Sequence, residues 1–139
     1  MTKKVFVSGC FDLLHSGHIE FFRRASLYGD LYVSIGSDKT LRGLKNKKPV
    51  YTENERVFMI RAIKYVKDAF VARGTGMLDF EKEFLKIKPD VFVVNKEGDQ
   101  KAKRELCKST DTRYVVLERK PHKGLPIRST TDLRKYLDR

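Results

Sequence analysis

The sequence has little cysteine, no long apolar run, and far fewer acids than bases. Its two cysteines, Cys10 and Cys107, lie far apart without a Cys-x-x-Cys pair or metal-ligand spacing, which excludes a disulfide scaffold and fits free thiols in a reducing compartment. No stretch approaches the roughly 20 apolar residues needed to cross a bilayer. The start, Met1-Thr2-Lys3-Lys4, leads into a short strand pattern, not a signal-peptide core, so a cytoplasmic protein with no membrane attachment is expected. Internal repeats, low-complexity tracts and linkers are also absent, and 139 residues form one expected domain with enough chain to bury a core. The deficit of acids, 18 against 30 Lys and Arg, leaves a net charge of +12. That excess calls for an anionic partner, and composition alone does not choose among nucleic acid, a membrane surface and small phosphate compounds.

What the chain does contain is short apolar runs alternating with helical patterns. Val5–Ser8, Leu31–Ile35, Ala69–Ala72, Val91–Val94 and Tyr114–Leu117 are rich in β-branched and aromatic residues and read as strands covered on both faces. Between them, Ile19–Tyr28, Glu53–Val66, Phe80–Ile87 and Gln100–Lys108 carry apolar residues at helical spacing, and Asp132–Leu137 forms a short terminal helix. Right-handed crossovers lay this order into a doubly wound, Rossmann-like α/β domain with a five-stranded parallel sheet, whose ligand cleft opens beyond the carboxyl ends of the strands. Two basic stretches, Asp38–Thr52 and Glu118–Pro126, are expected as irregular loops on the rim of that cleft.

The densest chemical signal is Gly9-Cys10-Phe11-Asp12-Leu13-Leu14-His15-Ser16-Gly17-His18, at the junction of the first strand and first helix. Gly9 permits a tight turn and close approach of a ligand, and Gly17 leaves room at the helix entrance for a phosphate. The helix amino terminus adds N–H groups and a partial positive charge. His15 and His18, three residues apart, share a helix face and can both donate to one phosphoryl group. The plainer alternatives are a capping or packing histidine, or a metal site. Metal binding would want further ligands, and the remaining histidine, His122, stands alone in a basic stretch. Gly74-Thr75-Gly76 reads as a turn.

Gly9-x-Phe11-Asp12-x-x-His15-x-Gly17-His18 resembles the signature of the cytidylyltransferase-like nucleotidyltransferases, above all the short members acting on glycerol 3-phosphate and heptose 1-phosphate. The likeness continues through Ser37-Asp38, Leu44-Lys45, Glu55-Arg56 and Arg128-Ser129-Thr130-Thr131. It implies transfer of CMP or AMP from CTP or ATP to a phosphorylated polyol or sugar, with release of pyrophosphate. Because the attacking phosphate oxygen is already anionic, such a reaction needs no general base; the enzyme must hold two anions and neutralise the transition state.

The resemblance assigns His15 and His18 to the α-phosphate, Lys45 to a mobile loop closing over the phosphates, and Arg128 with Ser129, Thr130 and Thr131 to the β- and γ-phosphates. Ser129 or Thr130 doubles as an N-cap. Gly9, Cys10, Phe11 and Gly17 complete the nucleotide site. Asp12, Lys45 and Arg56 fall on the acceptor side, where Asp12 is expected to order the loop and Arg56 has the alternative of a solvated pair with Glu53 or Glu55. Mg²⁺ is implied as a cofactor bridging phosphate oxygens, with no metal ligand from protein side chains. After the fourth strand, Asn95-Lys96-Glu97-Gly98-Asp99 departs from the family pattern, leaving base and acceptor open; Asn95 offers both donor and acceptor to a base. Lys120, His122 and Lys123 suggest an acceptor with additional negative charge. The resembled enzymes are often homodimers, so a homodimer is an expectation of the resemblance. Competing readings are adenylyl transfer to a phosphorylated cofactor such as FMN, and a basic non-catalytic nucleic-acid-binding domain. The latter is disfavoured by Lys and Arg spread over many segments without a recognition motif.

Overall fold

Lys4–Gly9 (β1) is the central strand of a five-stranded parallel sheet in the computed structural model, which describes residues 2–45 and 48–137, the side chains of Leu44 and Lys45 excepted. Along the chain follow α1 (Ser16–Ser26), β2 (Asp30–Ile35), α2 (Asp38–Lys45), α3 (Glu53–Arg61), β3 (Asp68–Val71), α4 (Glu81–Ile87), β4 (Val91–Asn95), a 3₁₀ turn at Lys96–Gly98, α5 (Lys101–Ser109), β5 (Arg113–Leu117) and α6 (Thr130–Leu137). The strand order is β3-β2-β1-β4-β5. β1 pairs with β2 from Lys4↔Asp30 to Gly9↔Ile35 and with β4 at Val5↔Val91 and Phe6↔Phe92, so the order reverses beside β1. This is the doubly wound sheet expected from the alternation, with its crevice at the carboxyl ends of β1 and β4.

Strand alternation supplies both faces of the core. Val5, Val7, Val33, Ile35, Val91 and Val93 meet Phe22 and Ala25 of α1 and Val57 and Ile60 of α3. On the other face Phe6 and Phe92 pack with Phe80, Phe84 of α4, and Leu106 and Cys107 of α5. Phe6 lies 5.2 Å edge-on to Phe84 and 5.5 Å edge-on to Phe92, geometries worth about 1 kcal/mol each beyond burial. Cys107 is buried among these rings, and burial pushes its thiol up to about 11, leaving it an inert core residue.

Two sequence expectations need correction. Asp38–Thr52 is not all loop: Asp38–Lys45 forms α2, because the Ser37 hydroxyl accepts the Thr40 N–H at 3.0 Å and Leu41 and Thr40 are buried. Lys45 therefore ends a helix instead of riding in a loop. The helix expected over Glu53–Val66 stops at Arg61, after which Ala62, Ile63 and Val66 continue in tight i→i+3 turns that keep Ile63 and Val66 on the core. Its start is a capping box in which Thr52 and Glu55 satisfy each other's backbone N–H. Among the described residues, no helix is long and apolar enough to cross a membrane.

Candidate active site

The signature loop leaves β1 at Gly9 and turns at Phe11, whose φ of 50° is a left-handed conformation rare for an aromatic residue. The turn sends the Phe11 ring back over Gly9, where an added Cβ would meet it at 2.7 Å. Gly9 is thus required by Phe11 packing, and the space over it is filled by the chain itself. Phe11 then stands edge-on to His18 at 5.4 Å and to Phe22 at 5.0 Å, anchoring the loop to the core.

His15 is the N-cap of α1. Its Nδ1 accepts the Gly17 N–H at 3.0 Å, while His18 Nδ1 accepts the His15 N–H at 3.2 Å, making a capping box built from two imidazoles. The rings stack 3.7 Å apart at 25°. Capping and phosphate binding, alternatives in the sequence, are compatible here: with both Nδ1 atoms accepting, the neutral rings carry their protons on Nε2. His15 Nε2 is buried and has no hydrogen-bond partner among the described residues. Burial, then the charges of Arg119 and Arg128, lower the His15 pKa, so it is a neutral donor near pH 7. Gly17 is held by the same geometry, since a Cβ there would lie 2.9 Å from His15 Cε1. The expected free helix amides are partly spent: Gly17 N–H goes to His15 Nδ1 and His18 N–H to His15 carbonyl. Among the described residues, the His15 Nε2–H is then the donor left for an anion, with the helix dipole behind it.

A cleft of about 120 Å³ opens in front of this pair, walled by Phe11, His15, Gly17 and His18, by Phe21 and Arg24 one and two turns along α1, and by Asn95, Glu97, Glu118, Arg119 and Lys120 from the ends of β4 and β5. Sequence reasoning missed Phe21 and Arg24, although they follow Gly17 by four and seven residues and so share its helix face. Asn95 lines the cleft while its Oδ1 accepts the Gly98 N–H at 2.8 Å and caps the 3₁₀ turn. Asp99 is spent on Arg104 and Tyr114. A larger hollow of about 660 Å³ lies against β3, and among the described residues no His, Cys, Asp or Glu lines it.

The second basic stretch is stitched onto α1. Arg24 donates to the Glu118 carbonyl at 2.7 Å, Arg119 to the Arg128 carbonyl at 2.6 Å, and His122 Nδ1 meets Glu20 at 2.9 Å. His122 is therefore committed to an internal contact, whereas Lys120 reaches the cleft. The Arg128 carbonyl lies near Gly17, and Ser129 is the N-cap expected, accepting the Asp132 N–H at 3.1 Å ahead of Thr130 and Thr131.

On the acceptor side, Asp12 accepts the Val50 and Tyr51 N–H groups at 2.8 and 2.9 Å. It orders the site as expected, but across a sequence gap rather than within its own turn. Arg56 differs from both sequence readings. It is fully buried and donates to the carbonyls of Tyr51, Cys10 and Gly36 and to Asp38 at 2.7 Å. The expectation that it touches acceptor or solvent gives way to a role as an internal clamp. Cys10, half-buried, contributes its carbonyl to that clamp. Lys45's side chain lies outside the described residues.

A family model described as cytidylyltransferase-like matches residues 6–136. The chain belongs to the cytidylyltransferase-like family. It is a nucleotidyltransferase, which sets aside the non-catalytic nucleic-acid-binding reading. Among relatives of this cytidylyltransferase-like enzyme, an FAD synthase of Thermococcus kodakarensis is 37% identical over 110 residues, 76% of this chain and 72% of the relative. The bifunctional protein HldE of Helicobacter pylori is 37% identical over 93 residues, 66% of this chain but 19% of HldE. A lipopolysaccharide core biosynthesis protein from Thermoplasma volcanium shares the structure with a TM-score of 0.69 at 26% identity, covering 88% of this chain and 100% of that one.

Proposed function

We propose that the protein transfers a nucleoside monophosphate from CTP or ATP to a phosphorylated acceptor, and that the acceptor is FMN with ATP as donor. The observation that carries the transfer chemistry is the His15–His18 pair: stacked imidazoles whose Nδ1 atoms are taken up by the helix cap, with His15 Nε2 buried and unpartnered among the described residues, beside Arg119 and Arg128. Such donors suit a phosphoryl group that gains charge in the transition state. An acceptor phosphate oxygen attacks the α-phosphorus in line, a new P–O bond forms, and the bond to the β-phosphate breaks with its electron pair leaving on pyrophosphate. His15 and His18 donate to the α-phosphate oxygens, and Arg119, Arg128 and the start of α6 bind the departing phosphates. Lys45 is assigned to the phosphates from the acceptor side.

Mg²⁺ belongs to this proposal as the ion of the triphosphate, neutralising charge on its oxygens when bound. Among the described residues no three His, Cys, Asp or Glu gather into a metal site. The choice of FMN rests on the FAD synthases among the relatives. The second reading, a sugar or polyol phosphate, is favoured by HldE and by the lipopolysaccharide core biosynthesis protein. Pyrophosphate release measured for each of the four triphosphates against FMN, glycerol 3-phosphate and hexose and heptose 1-phosphates separates them. Turnover with ATP and FMN supports the first reading, turnover with a sugar or polyol phosphate the second, and none with any pair removes both.

A further inference from the structure

The terminal helix α6 buries no side chain, so apolar packing does little to fix where its amino terminus lies. Among the described residues, Arg134 ties it to the signature loop, while Arg119 holds the Arg128 carbonyl just ahead of it. Arg134 Nη2 donates to Asp12 Oδ2 at 2.5 Å, with the guanidinium 23% and the carboxylate 3% exposed. The same carboxylate takes the N–H groups of Val50 and Tyr51. Asp12 is thus the node at which three remote segments meet: the loop leading to His15 and His18, the chain that follows the basic stretch carrying Lys45, and the helix that follows Arg128. Arg56 braces the node from beneath, since its guanidinium holds the carbonyls of Cys10 and Tyr51, the residues flanking two of these segments.

We propose that Arg134 is a positioning residue for nucleotidyl transfer. Through Asp12 it fixes the start of α6, and with it Arg128, Ser129 and Thr130, against the imidazole pair, so that the cations and hydroxyls for the departing phosphates stand ready before substrate arrives. The inference rests on the nucleotidyltransferase function. It explains a placement that core packing does not, because α6 supplies no residue to either hydrophobic cluster. It also explains why so buried a carboxylate sits beside the anion site: Asp12 is occupied by three N–H donors, which keep its charge from opposing the phosphates.

The test uses the full chain with the triphosphate and acceptor that the wild type turns over, comparing Arg134→Met with Arg134→Lys. The Met variant is expected to lose 10- to 100-fold in kcat/KM for the triphosphate and about 10-fold in affinity for the triphosphate alone by calorimetry, both measured well below its own melting temperature. Lys, which can supply the one N–H that this contact uses, is expected to recover most of both losses. Met-variant kinetics within threefold of wild type, a loss tracking unfolding at the assay temperature, or a Lys variant as impaired as Met would each overturn the proposal. Wild type that neither binds nor turns over a triphosphate removes the underlying function, and this proposal with it; wild type that does both beside an unimpaired Met variant removes the proposal alone.

Discussion

Replacing Arg56 with Met keeps most of the side chain's volume and removes every hydrogen bond it makes. Four acceptors lose their donor: the carbonyls of Tyr51, Cys10 and Gly36, at 3.2, 2.9 and 2.7 Å, and the Asp38 carboxylate at 2.7 Å. Asp38 is 26% exposed and recovers water, and the methionine stem retains much of the apolar contact, so the full sum of four bonds is not lost. Breaking one side of a buried ion pair costs about 3 to 5 kcal/mol, and about 4 is expected here. At about 2.1 cal/mol/K per residue the unfolding entropy of this chain is roughly 290 cal/mol/K, so about 4 kcal/mol lowers Tm by roughly 14 °C. Urea unfolding and calorimetric melting of the Met variant measure both quantities. Pairing it with Asp38→Asn should recover part of the loss, because the stranded carboxylate is then gone. A Met variant melting within 3 °C of wild type while losing acceptor affinity would refute the clamp and restore Arg56 to acceptor binding.

Other perturbations test the electrostatics away from the imidazole pair. Burial first, and then the charge of Glu83, raise the Asp79 carboxyl to about 6 from 3.8. The folded state therefore favours its protonated form, and that stability is complete below about pH 3.8 and fades as pH climbs through about 6. Asp79→Asn should gain about 2 kcal/mol in urea unfolding at pH 7.5 and almost nothing at pH 4; equal gains at both would exclude the ionised carboxylate as the cause. Glu20 is the opposite case, lowered to about 2 from 4.5 chiefly by its hydrogen bonds from Arg23, with His122 adding to it. Its contribution is present above about pH 4.5 and lost as pH falls toward about 2. With Arg23 and His122 partly in solvent, roughly 2 kcal/mol is expected, and Glu20→Gln should flatten the acid limb of the stability profile. A variant that keeps the wild-type slope between pH 4.5 and 3 would contradict this.

Strands and most helices were legible because burial on both faces of a parallel sheet leaves continuous apolar runs, and because Phe22 and Ala25 or Val57 and Ile60 recur at helical spacing. α2 was hidden by its Lys, Arg and Gly, although Ser37-Asp38 ahead of Leu41 carries the start signal. In the signature, the residue types were readable but their tasks were not. Gly9 and Gly17 read as space for a ligand, and the structure fills that space with the rings of Phe11 and His15. Arg56 read as an acceptor ligand or a solvated helix residue because a fully buried guanidinium requires acceptors from Cys10, Gly36, Asp38 and Tyr51, a convergence no local pattern encodes. The Asp12–Arg134 contact spans 122 residues and is likewise a product of topology. What did transfer from sequence to structure was the closeness of His15 and His18, although a capping box between the N-cap and the third helical residue sets it, not two positions on one helix face.

The most direct measurement of the central claim compares steady-state turnover of the wild type with His15→Ala and His18→Ala, using the triphosphate and acceptor that give the fastest pyrophosphate release. If the Nε2–H groups stabilise the reacting phosphoryl more strongly in the transition state than in the bound substrate, each variant loses about 10²- to 10³-fold in kcat while KM for the triphosphate stays within a few-fold. A kcat within threefold of wild type in either variant, with any loss confined to KM or to stability, would contradict the account and leave that histidine as a helix cap alone.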